Sequence, residues 1–544
     1  MKTNGSFLTS LLLVFAGVFY TSCCPLNPKL NSVKTAHGNT DWHINTAEEF
    51  LTGKDMNGNN MASNYCPDTW TKSHMHIGST NTNNNYYDIG KVTSGKDCDA
   101  SSGIDQSMLF FYAGHGNPTT FNTLGNSATL PSMKLGNCDD KSHGLLRYFW
   151  QCSCEVFAHG PVSCTGSTEA YTCPEDFDGS ADSYAMRNVY ERWGPVLSPE
   201  LRMACGSSTL AYCWETETNK IWDYYNNQGY DVADAFIWGL HRLSYNCPLC
   251  ITTGGISKSS TPLFDQTFTN KPNPSGAYLH IQFLSGFASN VPQLHVHIPE
   301  LLPVFELIPL PWPEKYKRET FQDKEGWRYS GTKLKVRGIP EVKINNASGS
   351  VYIFGERKFE DGAKQFGESK YIDMAGKFLR EQGWTEKEVS GPVGQKMMLQ
   401  SVPNTGKRIE QIRNEQKNVS ITYDRVILIG TDTVKTVGEG GKVVVQLNND
   451  GSLYNASKVW RPIKSKIRVT KSKPYEQAFA EAIKQVGEQK AYILESWTWG
   501  YDEYAGNVEQ KELKAVYIFY FIPVEREKTI DYPPMAIKVS AHIE

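Results

Sequence analysis

Met108-Leu109-Phe110-Phe111-Tyr112-Ala113-Gly114-His115-Gly116-Asn117-Pro118 opens the stretch on which the fold turns, and Leu145-Leu146-Arg147-Tyr148-Phe149-Trp150-Gln151-Cys152-Ser153-Cys154 closes it. Each apolar run is short, aromatic-rich and stopped by turn residues, the pattern of a buried strand. The first run delivers a histidine at its C-terminal end, and the second delivers a cysteine. In an open parallel sheet those ends lie along one edge, where a ligand crevice forms. A thiol and an imidazole brought together there make a nucleophile and its base.

His-Gly alone carries little information, because it occurs at His37, His115, His143 and His159. His115 is singled out as the one read to follow an apolar, strand-like run and to precede a second run ending in cysteine. The bland alternative is a loop histidine and a disulfide cysteine. Cys152 and Cys154, two residues apart at a strand end, point to one side. Cys152, preceded by Gln151, is expected to be buried or disulfide-bonded behind Cys154.

The order of Leu109–Ala113, His115-Gly116, a spacer, Tyr148–Trp150 and Ser153-Cys154 resembles the caspase-like cysteine peptidases: caspases, metacaspases, legumains and gingipains. The resemblance implies an α/β fold, a mostly parallel sheet flanked by helices, that hydrolyses peptide bonds through a Cys/His dyad. It implies Cys154, preceded by the small residue Ser153, as the preferred nucleophile, His115 as its base, and the backbone N–H groups of Gly116 and Cys154 as the oxyanion hole. No cofactor and no metal is expected. A free thiol titrates near a pKa of about 8.5, so an imidazolium close by is needed to favour the thiolate.

A chain of 544 residues exceeds one ordinary core, so several domains are expected. A formal charge of −3 excludes a broad basic field and with it nucleic acid as a partner. Lys2, the apolar Phe7 to Tyr20 and Thr21-Ser22 before Cys23 read as a lipoprotein-type signal peptide over 1–23, with Cys23 as the lipid attachment residue. Ordinary signal-peptide cleavage nearby is the alternative. Either way the protein is expected to be exported, as a cell-surface or periplasm-facing lipoprotein or as a secreted protein. Membrane contact is expected only through that anchor, and the partner is a protein or peptide substrate.

All 13 cysteines lie at or before Cys250, which fits disulfides in an oxidising compartment. Cys164 and Cys173 bracket a polar loop. Cys247-Pro248-Leu249-Cys250 reads as a local clip, half a zinc site or a redox pair, with disulfide favoured because no second pair has matching spacing. Setting Cys23 aside, a free Cys154 requires a second unpaired thiol, for which Cys24 is the candidate.

The expected organisation is a tether over 24–40, a caspase-like α/β domain over 41–290, a proline-rich linker over 291–331 and an α+β antiparallel region over 332–544. Helices are expected from Thr46, around Val189 and Trp193, over Asp231 to Leu243, Ile372 to Gln382 and Tyr475 to Val486. A strand is expected at Met203 to Ser208. Gly441 to Leu447 and Ser452 to Ala456, joined by Asn448-Asn449-Asp450-Gly451, read as a hairpin, as do Glu495 to Tyr501 and Leu513 to Tyr520. Helix followed by hairpin, twice, resembles the PepSY modules of exported peptidases and their regulators. That implies an inhibitory or targeting role for 332–544. His295 and His297 read as exposed residues of the linker rather than metal ligands. Asn346, Asn418 and Asn455 head N-x-Ser sequons that matter only in a eukaryotic secretory host. The rival to a peptidase is a catalytically inactive caspase-like surface binding protein, and a weaker third reading is a redox or zinc protein built on Cys247 and Cys250.

Overall fold

In the computed structural model the described residues run from Ser32 to Ile543 and leave out, among shorter gaps, 76–103, 154–155, 158–188, 287–297, 310–320, 404–412 and 524–534. The first part of the chain supplies β1 (Ser32–His37), α1 (Asp41–Thr52), β2 (Thr71–Met75), β3 (Leu109–Ala113), β4 (His115–Gly116), β5 (Thr120–Thr123), β6 (Asn126–Thr129) and β7 (Tyr148–Cys152). It continues with α2 (Val189–Trp193), β8 (Met203–Ser207), α3 (Glu215–Asn226), α4 (Val232–Leu240), β9 (Pro248–Gly254) and β10 (Tyr278–Gly286).

Five of these strands run parallel in the order β8-β7-β3-β1-β2. The unbroken apolar run of β3 follows from burial on both faces. Leu109, Phe111 and Ala113 point into a core closed by Phe50 of α1, Trp222 of α3 and Phe236 of α4. Phe110 and Tyr112 point the other way, into a core with Val189 and Trp193 of α2. β4, β5 and β6 form a separate small antiparallel sheet.

The rest of the chain supplies β11 (Leu301–Leu307), β12 (Phe321–Gln322), β13 (Trp327–Lys333), β14 (Pro340–Asn345), β15 (Val351–Phe354), α5 (Glu368–Glu381), β16 (Val393–Pro403) and β17 (Arg413–Asp424). Then come β18 (Val426–Ile429), β19 (Asp432–Val437), β20 (Lys442–Asn448), β21 (Leu453–Val459), β22 (Ile463–Lys471), α6 (Tyr475–Val486), β23 (Tyr492–Asp502), β24 (Glu512–Pro523) and β25 (Met535–Ser540). β10 pairs antiparallel with β9 on one side and with β16 on the other, from Tyr278↔Pro403 to Gly286↔Gln395. One sheet of 15 strands therefore continues through β16, β17, β20, β21 and β15 to β12.

This corrects the expected mostly parallel sheet. The protein is a mixed α/β fold whose sheets are largely antiparallel, with parallel pairing concentrated at one end of the large sheet. After β8 the chain returns through strands paired antiparallel to their neighbours, β9, β10 and then the β16–β17 hairpin. Only the β16–β17 connection is too short for a parallel crossover, which needs a dozen or more residues; β9 and β10 follow longer connections and still pair antiparallel.

A second sheet runs β18-β19-β23-β24-β11-β22, with β25 beside β24. Its core is closed by Ala478, Ala482 and Val486 of α6, as Tyr371, Ala375 and Leu379 of α5 close that over β14, β17, β20 and β21. The expected tether thus contains buried β1, and the proline-rich stretch contains β11, which pairs with β22 and β24. Short strands flanked by Gly and Pro read as linkers because their pairing partners are distant in sequence. The Asn448–Gly451 turn closes the β20–β21 hairpin as its sequence predicts. Gly451 takes a positive φ of 79° that a side chain would strain.

Candidate functional site

The register of β3 and β7 sets the geometry of the expected site. Ala113 lies opposite Cys152, and the N–H of Gly114 donates to the Cys152 carbonyl at 3.1 Å. The two strands therefore end level and adjacent. His115 follows Ala113 by two residues, and Cys154 follows Cys152 by two. The backbone of His115 and Gly116 continues as β4 beside Asn122 and Phe121. The His115 side chain and the whole of Cys154 lie outside the described residues, as do Cys23, Cys24, Cys164, Cys173, His295, His297 and Asn346.

Both sides of Cys154 are anchored. Ser153 is fully buried and its hydroxyl donates to Gln151 Oε1 at 3.1 Å. Beyond the gap, the Val156 carbonyl accepts from Arg192 Nη1 at 3.2 Å and Trp193 Nε1 at 3.0 Å, and Phe157 stacks on Trp193 at 4.2 Å. The Phe157 N–H donates to Ser207 at the end of β8. A Cβ on Gly206 would stand 2.5 Å from the Phe157 ring, so glycine is required for this return.

His37 was passed over for want of an apolar run before it, yet it ends β1, every residue of which is buried. It lies opposite Ala113 on the far side of β3 from β7. Lys34 and Thr35 hid that strand, and no period-two pattern reveals it.

The cysteines divide differently from the simplest reading. Cys250 is disulfide-bonded to Cys205, directly opposite it on β8, with Cα atoms 4.1 Å apart. Cys152 and Cys247 each belong to a further disulfide. Cys250 therefore pairs across strands with Cys205 and not with Cys247, which corrects the local clip. Among the described residues the free thiol is Cys66, buried beside α1, where burial pushes its pKa up to about 12. Cys24 is thus not needed as the second unpaired cysteine, and Cys66 is too weak an acid to be a nucleophile.

A second polar cluster, which sequence reading missed entirely, joins the two parts of the chain. Asp231 caps α4 by accepting from the Asp234 N–H. Lys417 on β17 donates to Asp231 at 2.8 Å, Asp234 at 2.9 Å and the Leu263 carbonyl at 2.9 Å, and its Nζ sits 4.6 Å over the Phe264 ring. Tyr454 on β21 donates to Asp234 at 2.9 Å, and Arg357 lies over the Tyr454 ring and 3.7 Å from Asp231. Burial works against ionisation of both carboxyls. At Asp231 the charges of Lys417 and Arg357 more than offset it, holding that carboxyl below its ordinary range. At Asp234 burial and then the neighbouring Asp231 push the carboxyl up. A cavity of about 240 Å³ opens beside this cluster. The partners are up to 220 residues apart in sequence, so no local motif points to them.

No family model and no curated protein matches this chain. Among solved structures, an uncharacterized protein from Eubacterium rectale ATCC 33656 is similar at 9% identity and a TM-score of 0.26, over 45% of this chain and 85% of that one. A likeness of that size decides neither fold nor function. Among the described residues, no helix is long and apolar enough to cross a membrane.

Proposed function

We propose that this protein is an exported cysteine peptidase of the caspase-like kind, with Cys154 as nucleophile and His115 as general base. The supporting observation is the level, parallel, adjacent ending of β3 and β7, because it carries the two chain segments onward from one edge of the sheet. The strand order β2-β1-β3-β7 sets that edge among parallel strands, where open sheets of this kind bind ligands. Cys152 is disulfide-bonded, which supports the reading of Cys154 rather than Cys152 as the nucleophile.

In this reading His115 takes the thiol proton, and the thiolate attacks the scissile carbonyl carbon. The oxyanion is received by the N–H groups of Gly116 and Cys154, each such donor being worth about 3 kcal/mol. The imidazolium then protonates the leaving amine, and water hydrolyses the thioester. The helix-then-hairpin order of α5, β16, β17 and again α6, β23, β24 favours PepSY-like modules in the C-terminal region.

The test is turnover of a peptide pool by the full chain and by Cys154→Ala, with iodoacetamide labelling of unreduced protein. Loss of at least a hundredfold in rate, with Cys154 alkylated, is the expected result. Unchanged turnover in Cys154→Ala, or Cys154 recovered only in a disulfide, sinks the peptidase reading and leaves the surface-binding one.

A further inference from the structure

The cavity beside Lys417 shows more cations than carboxylates on its wall. Arg357, Lys358 and Lys417 line it with Asp231, while the other two partner carboxyls, Asp234 on Lys417 and Asp450 on Lys358, stand outside the lining. Lys417 is spent, since Asp231, Asp234 and the Leu263 carbonyl take up its three protons. Asp231 is spent as well: Oδ1 accepts the Asp234 N–H and Oδ2 accepts Lys417. Arg357 is left sharing that carboxylate from 3.7 Å, and its Nη1 has no hydrogen-bond partner. The guanidinium is partly exposed, but a buried Nη1 donor with no acceptor is a costly arrangement that a ligand oxygen would relieve. Among the described residues, the half-exposed Lys358 ammonium pairs with Asp450 at 3.4 Å. The same cavity has an apolar side, where Phe264 and Phe359 pack with ring centres 4.7 Å apart.

We propose that this cavity binds a small organic carboxylate, its anionic end held by Arg357 and Lys358 and its apolar body lying against Phe264 and Phe359. Arg357 and Lys358 disfavour an amine-headed ligand, and the aromatic pair distinguishes an organic carboxylate from a bare inorganic anion. The size fits a molecule of roughly amino-acid dimensions, below the range of drug-sized sites. The site is formed by residues before and after β10, so occupation would tie the two parts of the sheet more firmly together. It is independent of the Cys154 chemistry.

Phenylacetate, phenethylamine and inorganic phosphate, each titrated into the full chain by calorimetry and thermal melting, provide the test. Phenylacetate should bind with a Kd of about millimolar or tighter and raise Tm, while phenethylamine does neither. Arg357→Gln should weaken phenylacetate binding at least tenfold. Because Arg357 also donates to the Gly229 carbonyl, partly buried Phe359→Ala serves as the second variant. It should melt near the wild type yet lose at least fivefold in affinity. Absence of phenylacetate binding by the wild type overturns the proposal, as does equal binding of phenethylamine. Phosphate binding as tight as phenylacetate and unaffected by Phe359→Ala would also overturn it, leaving an adventitious anion site.

Discussion

His241, which ends α4, shows how a single side chain ties stability to pH. Burial lowers its pKa to about 4 from an ordinary 6.5, and its Nε2 lies 2.7 Å from Gln395 Nε2 on β16. The unfolded chain therefore binds a proton that the folded chain refuses. Stability is intact above pH 6.5 and falls as the pH drops toward 4, by up to about 3 kcal/mol from this residue. Urea midpoints at pH 7 and pH 4.5 should draw closer in His241→Gln than in the wild type, and an unchanged gap would contradict the assignment. Lys417 is the opposite case, a buried cation whose partners are satisfied. Lys417→Met would leave Asp231 and Asp234 buried without their shared counter-ion, at a cost of about 3–5 kcal/mol in a urea unfolding curve. A loss below 1 kcal/mol would show that water reaches the pair.

Among the elements, β22 is the one most exposed to the wrong partner. It ends the second sheet, and Ile467 and Val469 are each 45% exposed, with Leu301 on neighbouring β11 at 53%. Lys464, Lys466 and Arg468 alternate with these apolar residues along the exposed strand. Charged residues on an edge strand block pairing with a second copy, because like charges would meet across the new ladder. The triple change Lys464→Val, Lys466→Val, Arg468→Val should increase self-association in light scattering at unchanged secondary structure. No increase would mean that the edge is guarded by something else. The same scale shows where sequence patterns are legible. α6 runs from Tyr475 to Val486 and the β20–β21 hairpin turns at Asn448–Gly451, both as their periodicity and turn chemistry predict. α5 begins at Glu368, four residues before the apolar pattern does, because its first turn is polar. β1 has no apolar pattern because four of its six buried residues, Ser32, Lys34, Thr35 and His37, are polar.

For the whole molecule, the pairing of β10 with β16 is decisive. It welds the parallel end of the large sheet to the antiparallel remainder. Removing the chain beyond β10 would uncover a nine-residue strand edge, so an activity change in a truncated protein would not isolate an inhibitory role. Point changes in α5 or α6 are the cleaner probe. Asn418 and Asn455 are buried on β17 and β21, which closes those sequons in the folded chain. By itself, the sequence determined where strands and helices lie wherever local periodicity and turn residues are strong, and that the runs at Leu109 and Tyr148 are buried strands. These properties are carried by neighbours within a few residues. Only the tertiary structure decided that β3 and β7 end side by side, that Cys250 bonds to Cys205, and that Asp231, Asp234, Arg357, Lys417 and Tyr454 meet. Those depend on which distant strands pair, and pairing is set by the packing of whole sheet faces rather than by any one segment.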